Sequence, residues 1–157
     1  MERMASRVGE ALRMKGYLLA TAESCTGGWI GEALTAIAGS SEWYERGFIT
    51  YSNLSKREML GVNPDTLKAF GAVSEETARE MAVGALRHSH ADASIAVTGI
   101  AGPGGGSPEK PVGTVCFGWA LKGGEPVTRK MHFDGSREEV RRQAVRAALE
   151  GLLEILE

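Results

Sequence analysis

The run TAESCTGG at residues 21–28 places Ser24 between a short apolar stretch and a segment with helical periodicity. A hydroxyl at such a junction lies beside unpaired backbone N–H groups and the positive end of the helix dipole, which suits a nucleophile with an oxyanion site. The alternative is that Ser24 only caps the helix, and spacing alone favours the cap. Cys25 is a rival nucleophile, although no histidine lies near it in sequence to activate it.

The run TYSNLSK at residues 50–56 contains the groups that could activate a serine. A serine needs a base at neutral pH, and a lysine whose pKa is lowered by burial replaces histidine in Ser-Lys hydrolases. Lys56 is the candidate base, and Tyr51 could relay a proton or orient the amine. Ser52 lies four residues before Lys56 and is a second candidate nucleophile. The alternative is a solvated lysine beside a half-buried tyrosine.

Two further segments could contact an anion. The glycine-rich run TGIAGPGGG at residues 98–106 follows an apolar stretch, and its N–H groups could form an anion nest, although it lacks the Walker pattern. Arg137, Arg141 and Arg142 begin the last predicted helix and could bind a phosphate. The alternatives are that the glycine-rich run is only a flexible connection and that the three arginines are ordinary exposed side chains.

Composition narrows the functional class. The chain has 157 residues, which favours a single domain over residues 1–157, and its net charge of −2 provides no basic field for nucleic acid or a membrane. Its two cysteines and three histidines show no metal-ligand spacing, so we expect no metal and no cofactor. No signal peptide or long apolar segment is present, which predicts a cytoplasmic protein. Asp65, Asp92 and Asp134 are scattered singly, which disfavours a metal-dependent phosphohydrolase.

The elements that would position these residues follow from periodicity and turn signals. Helices alternate with strands along most of the chain, and the last two strands form a hairpin. The fold class predicted is therefore α/β, a three-layer α/β/α sandwich with a mixed β-sheet. The predicted helices span residues 1–15, 29–39, a short segment capped by Asn53, a segment after Asn63-Pro64, 74–89 with Ser74 as cap, and 136–157. The predicted strands span residues 17–22, 46–52, 93–97, 113–120 and 126–133.

Four blocks of the chain, in order, resemble the CinA C-terminal domain family, the nicotinamide-mononucleotide deamidases. The resemblance runs from about Val8 to Leu152. The blocks are TAESCTGGWIGEALT, GSSEWYERGFITYSNLSKREMLGV, GAVSEETAREMAVGAL and VTGIAGPGGGSPEKPVGTV.

This resemblance implies a three-layer α/β/α fold and hydrolysis of nicotinamide mononucleotide to nicotinate mononucleotide and ammonia, a step of NAD recycling. It implies a serine nucleophile assisted by a lysine and a tyrosine, which match Ser24, Lys56 and Tyr51, and so it selects Ser24 over Ser52. Since such domains also occur fused to another domain in competence- and damage-linked proteins, the alternative is a non-catalytic nucleotide-binding or regulatory module.

The expected partner is therefore a small-molecule nucleotide. Backbone N–H groups near Thr26, Gly27 and Gly28 are expected to hold the oxyanion. The phosphate donors are expected among Thr26, Asn53, the 99–102 loop and Arg142. We also expect a homo-oligomer, a dimer or larger, with apolar residues such as Trp43, Tyr44 and Trp119 packed inside or between subunits. The expected substrate-binding residues are Thr26, Gly27, Gly28, Gly47, Thr50, Asn53, Gly99, Ile100, Ala101, Gly102 and Arg142.

Overall fold

The computed structural model describes all 157 residues and shows a five-stranded sheet with six α-helices. The predicted order of helices and strands is confirmed, with one additional short 3₁₀ turn at Ser40–Glu42. The strands are β1 (Leu19–Glu23), β2 (Tyr44–Ile49), β3 (Ala93–Gly99), β4 (Thr114–Leu121) and β5 (Val127–His132). The helices are α1 (Glu2–Lys15), α2 (Trp29–Thr35), α3 (Asn53–Leu60), α4 (Pro64–Phe70), α5 (Glu75–Arg87) and α6 (Arg137–Leu156).

The sheet separates two apolar clusters, which confirms the three-layer α/β/α sandwich. Residues of α1, α2 and α6 pack with alternate sheet residues such as Leu19 and Ile95 in the larger cluster. Residues of α3 and α5 pack with the intervening positions, such as Ala20 and Ala96, in the smaller cluster. Because successive strand residues point to opposite faces, the sheet has a buried face toward each helix layer.

The strand order is β2-β1-β3-β4-β5, with β2, β1 and β3 parallel and β3, β4 and β5 antiparallel. The predicted mixed sheet and the final hairpin are therefore confirmed. The carboxyl ends of the three parallel strands meet at one edge of the sheet. The turn after β1 begins with Ser24 and lies between the segments that follow β2 and β3. This topology brings the three candidate segments of the sequence together.

Helix caps agree with the sequence at most positions. Ser74 caps α5 and Ser136 caps α6 through their side chains, as expected of serine at these positions. The prediction that Asn53 caps α3 is wrong, because Ser52 holds the cap and forms a capping box with Ser55. No helix of the chain is long and apolar enough to cross a membrane.

The helix that carries Lys56 is held close to α5 by a glycine. A Cβ at Gly84 of α5 would overlap the carbonyl oxygen of Leu60, the last residue of α3. Glycine at this position therefore allows the two helix backbones to approach, and that approach sets the position of α3 against the sheet.

Candidate active site

Ser24 and Lys56 meet at the carboxyl edge of the sheet. Lys56 Nζ lies 3.1 Å from Ser24 Oγ and donates a second hydrogen bond to the carbonyl oxygen of Thr50, also at 3.1 Å. Ser24 is 8% exposed and Lys56 only 2% exposed. The side chain of Ser52 is bonded to Ser55 instead. Geometry alone therefore pairs the lysine with Ser24 rather than with Ser52.

Lys56 is a buried amine with no carboxylate bonded to it. Burial lowers the pKa of Lys56 below its ordinary value, because the ammonium form loses its hydration. A lysine with a lowered pKa has a larger neutral fraction near neutral pH, and a neutral amine can accept a proton. The pair thus has the composition of a nucleophile with its base.

The turn that carries Ser24 is organised by Glu23, whose side chain is buried. Glu23 Oε1 accepts hydrogen bonds from Thr26 Oγ1 at 2.6 Å and from the N–H of Ile30 at 2.9 Å, and Oε2 accepts from the N–H of Gly31 at 3.0 Å. A carboxylate at the start of α2 also complements the helix dipole.

The carboxylate of Glu23, and not the hydroxyl of Ser24, therefore accepts the first N–H groups of α2, whose N-cap residue is Gly28. The alternative of a capping serine is wrong. The sequence alone does not decide the role of Glu23. The available signal was an acidic residue shortly before a predicted helix start.

The expected oxyanion donors are partly occupied. The N–H of Gly27 donates to the carbonyl of Ser24 at 3.0 Å, and the N–H of Gly28 donates to Glu23 Oε1 at 3.2 Å. The N–H groups of Cys25 and Thr26, directly after Ser24, donate no hydrogen bond within the chain. The free donors beside the candidate nucleophile are thus Thr26, which is among the expected residues, and Cys25, one residue before them.

Thr26, one of the expected phosphate donors, does not have its hydroxyl free to donate. This residue is fully buried, and its Oγ1 is committed to Glu23. Only its backbone N–H remains free of a partner within the chain.

Tyr51 follows β2 and faces solvent, with 62% of its surface exposed. Its hydroxyl accepts a hydrogen bond from Arg137 Nη2 at 2.9 Å, and Arg137 Nη1 donates to the carbonyl of Gly102 at 2.8 Å. No hydrogen bond joins Tyr51 to Ser24 or Lys56. Because β1 lies between β2 and β3, Arg137 spans the segments on either side of the Ser24 turn.

Arg141, one helical turn after Arg137, contacts the same turn. Its Nε donates to the carbonyl of Cys25 at 3.0 Å and its Nη2 to the carbonyl of Thr26 at 3.3 Å. Arg142 is bonded to Glu138 at 3.5 Å instead. Arg137 and Arg141 thus form hydrogen bonds with the site loops. Arg142 forms none with them, although its guanidinium lies over the ring of Trp29, 5.8 Å from the ring centroid.

Two of the predicted binding residues lie beside Lys56. Thr50 is fully buried, and its Oγ1 has no hydrogen-bond partner within the chain. Asn53 is exposed at the first position of α3, and its side chain forms no hydrogen bond.

Gly47 lies within β2, where a Cβ would come within 2.8 Å of Thr21 Oγ1. The requirement for glycine at this position is therefore one of packing inside the sheet.

The loop after β3 is only partly free to bind a ligand. The N–H of Ile100 donates to the carbonyl of Thr114 at 2.9 Å, and the carbonyl of Ile100 accepts from Gly113 at 2.8 Å. A Cβ at Gly99 would lie 3.1 Å from Cys25 Sγ, so glycine lets this loop approach the Ser24 turn. Ala101 is buried, and the carbonyl of Gly102 is bonded to Arg137.

Cys25 is unsuited to be the nucleophile. Burial raises the pKa of the Cys25 thiol to about 12, which keeps it neutral near neutral pH. No group of three or more histidine, cysteine, aspartate or glutamate side chains lies together in the chain. Ser24 is thus the candidate nucleophile that has a base in contact.

Comparison with known sequences gives a consistent picture. The profile of the CinA C-terminal domain matches residues 1–156. The chain is 54% identical over 149 residues to the nicotinamide-nucleotide amidohydrolase PncC of Escherichia coli K12, covering 95% of this chain and 90% of that protein. It is 50% identical to the protein of the same name from Pseudomonas putida, over 97% of this chain and 94% of that protein. A longer CinA-like protein of Syntrophobacter fumaroxidans is 51% identical over 90% of this chain, which spans 33% of that protein.

Solved structures agree with this similarity. The competence/damage-inducible protein CihA of Agrobacterium tumefaciens superposes with a TM-score of 0.96 at 50% identity, covering 99% of this chain and 95% of that one. A CinA superfamily protein of Klebsiella pneumoniae superposes with a TM-score of 0.95 at 43% identity, covering 99% of this chain and 96% of that one.

Proposed function

This chain belongs to the CinA C-terminal domain family, and we propose that it hydrolyses the carboxamide of nicotinamide mononucleotide to nicotinate mononucleotide and ammonia. The observation that carries the proposal is the 3.1 Å contact between Ser24 Oγ and the buried amine of Lys56. This pair suits amide hydrolysis, and the names of the similar amidohydrolases supply the substrate.

The proposed reaction begins when neutral Lys56 takes the proton of Ser24 and Ser24 Oγ attacks the carboxamide carbon. The tetrahedral oxyanion is held by the free N–H groups of Cys25 and Thr26. Lys56 returns the proton to the nitrogen, the C–N bond breaks and ammonia leaves. Lys56 then takes a proton from a water molecule as that water attacks the acyl-enzyme. The bond between the acyl carbon and Ser24 Oγ breaks, Lys56 returns the proton to Ser24 Oγ, and nicotinate mononucleotide is released. No metal is needed for these steps.

We propose a direct transfer between Ser24 and Lys56, because the Tyr51 hydroxyl is bonded to Arg137 and not to either of them. Tyr51 then assists through the substrate, at the exposed side of the site.

The phosphate of the substrate is proposed to bind Arg137, whose guanidinium spans the loops beside Ser24. A hydrogen bond to a charged group contributes about 1.5–3 kcal/mol, so Arg137→Met is expected to raise KM roughly tenfold or more, with a smaller change in kcat. Steady-state kinetics would measure this effect. Arg146→Met is the control, since Arg146 pairs with Glu150 at the surface. An unchanged KM would refute the assignment.

The test of the proposed function is to incubate the purified chain with nicotinamide mononucleotide and to measure ammonia and nicotinate mononucleotide, with and without a chelator. Release of both products in the presence of chelator is expected. Binding without turnover would favour the non-catalytic regulatory module instead. Sensitivity to the chelator would contradict the metal-free mechanism.

Two further properties are proposals. We propose a cytoplasmic location and a homo-oligomer. Trp43 and Trp119 are buried in the chain's own core, so they do not carry the interface. Exposed apolar residues lie on and beside the edge strand β2, at Ile49 and Leu54, and they are the candidates for it. Light scattering on the purified chain would measure the oligomeric state. A monomer at working concentration would refute the proposed homo-oligomer.

A further inference from the structure

Thr50 Oγ1 is the one buried side-chain oxygen or nitrogen of the chain that has no hydrogen-bond partner. A buried hydroxyl without a partner is disfavoured, and such groups are rare in folded proteins. Thr50 is fully buried, directly after β2, and its backbone N–H donates to the carbonyl of Glu23 at 2.8 Å. The backbone of Thr50 is therefore fixed to the strand that carries the candidate nucleophile, whereas its hydroxyl is uncommitted.

The same residue already contacts the candidate base. Lys56 Nζ donates to the carbonyl oxygen of Thr50 at 3.1 Å and lies 3.1 Å from Ser24 Oγ. Rotation about one side-chain torsion moves the Thr50 hydroxyl relative to Lys56 Nζ without moving the backbone.

The proposed reaction changes what Lys56 requires. A neutral amine has two N–H donors and one lone pair, whereas an ammonium group has three donors and no acceptor. When the Ser24 O–H bond breaks and the new N–H bond forms, Lys56 gains a donor inside a buried site. The new N–H points to Ser24 Oγ and a second N–H points to the Thr50 carbonyl. The third N–H has no acceptor among these contacts, and it gains positive charge when the ammonium group forms.

We propose that Thr50 is a positioning residue for Lys56, whose hydroxyl accepts the third N–H of the ammonium group formed when Lys56 takes the Ser24 proton. This inference rests on the proposed function and assigns Thr50 a role other than the substrate binding expected from the sequence. The hydroxyl is uncommitted in the resting chain and becomes bonded as charge develops, so its contact favours the charged state of the reaction.

The test is Thr50→Val, which replaces the hydroxyl by a methyl group of similar size. We expect kcat to fall about tenfold or more with little change in KM, because a hydrogen bond to a charged group is lost. The acid limb of kcat/KM should move to lower pH, since the ammonium form of Lys56 loses an acceptor and its pKa falls. The neighbouring Cys25 thiol, whose pKa of about 12 keeps it neutral near neutral pH, is the same in both proteins. Thr50→Ser should restore kcat and should return the acid limb of kcat/KM to its position in the parent chain.

A readout that does not depend on turnover is the titration of Lys56 itself, followed by NMR of protein labelled at the lysine Cε and assigned with Lys56→Met. The titration is expected at lower pH in Thr50→Val than in the parent chain. The free energy of unfolding should not decrease, because the hydroxyl removed has no partner. Thr77→Val is the matched control, since its hydroxyl donates to the carbonyl of Gly71 at 2.7 Å. That variant should lose stability and leave the Lys56 titration in place.

An unchanged Lys56 titration in Thr50→Val would overturn the inference. A rise in KM at constant kcat would also overturn it and would return Thr50 to substrate binding. A loss of stability equal to that of Thr77→Val would show a structural hydroxyl and overturn it as well. If the parent chain releases no ammonia while Thr50→Val still shifts the titration, the proposed function fails and the contact between Thr50 and Lys56 is supported.

Discussion

Lys56 illustrates how much of the site depends on one buried group. Its amine is 2% exposed, bonded to Ser24 Oγ and the Thr50 carbonyl, and has no carboxylate to neutralise it. A buried cation without a counter-ion destabilises the folded chain, and the same burial produces the lowered pKa that suits the amine to the proposed role of base. Stability and activity are therefore opposed at this residue.

Lys56→Met is expected to raise the free energy of unfolding near neutral pH and to lower kcat roughly 10²–10⁴-fold. The pKa of Lys56 is lowered in the folded chain from its ordinary value of 10.5, so between the two values the unfolded chain binds more protons and parent stability rises with pH. The difference in free energy of unfolding between Lys56→Met and the parent chain should therefore become smaller as the pH approaches about 10.

Urea unfolding at several pH values measures this difference. Lys68→Met, at an exposed position of α4, is the control and should show no such pH dependence. A Lys56→Met protein that is less stable than the parent at neutral pH would contradict the account.

At the scale of elements, the sequence predicts the order of helices and strands because periodicity and caps are local properties. Ser74 and Ser136 cap helices as expected. Local sequence patterns do not show which distant residues come into contact. The bonds from Arg141 to the Cys25 and Thr26 carbonyls join residues more than a hundred positions apart, and so the spacing of arginines on α6 could not distinguish Arg141 from Arg142.

The turn after β1 shows a second reason why the sequence alone does not predict the whole site. Serine is a common helix cap, and spacing alone favours that role for Ser24. The carboxylate of Glu23 reaches further and accepts bonds from Ile30 and Gly31 instead. Competition between two side chains for the same donors is decided by three-dimensional distance. The resemblance of four sequence blocks to a family, rather than spacing, selected Ser24 over Ser52.

Glu23→Ala is expected to destabilise the chain by about 3 kcal/mol and to reduce kcat, because several donors at the start of α2 lose a charged acceptor and the Ser24 turn loosens. Urea unfolding and ammonia release would be measured together. Glu32→Ala, at an exposed position of the same helix, is the control. Equal unfolding midpoints for Glu23→Ala and the parent chain would disprove this role of Glu23.

At the scale of the whole molecule, the site depends on both helix layers. The proposed nucleophile directly follows β1, the central one of the three parallel strands, and the proposed base comes from α3 on one face of the sheet. Arg137 and Arg141 come from α6 on the other face. Packing that sets the position of α3 therefore affects chemistry at a distance.

Gly84→Ala tests this coupling without touching the site. A Cβ at Gly84 would overlap the carbonyl of Leu60, so α3 must shift to accommodate it. We expect a destabilisation of about 1–3 kcal/mol and a fall in kcat, because the Lys56 amine moves relative to Ser24. Gly124→Ala, where the nearest atom would lie at 3.5 Å, is the control. Full activity in a destabilised Gly84→Ala protein would argue against the coupling.

The central claim, that Ser24 is the nucleophile of an amidase, is tested most directly by ammonia release from nicotinamide mononucleotide by Ser24→Ala. Ser6→Ala, at an exposed position of α1, is the matched control. The account predicts that Ser24→Ala folds, binds the nucleotide and releases essentially no ammonia, while Ser6→Ala keeps the activity of the parent chain. Near-normal ammonia release by Ser24→Ala would contradict it.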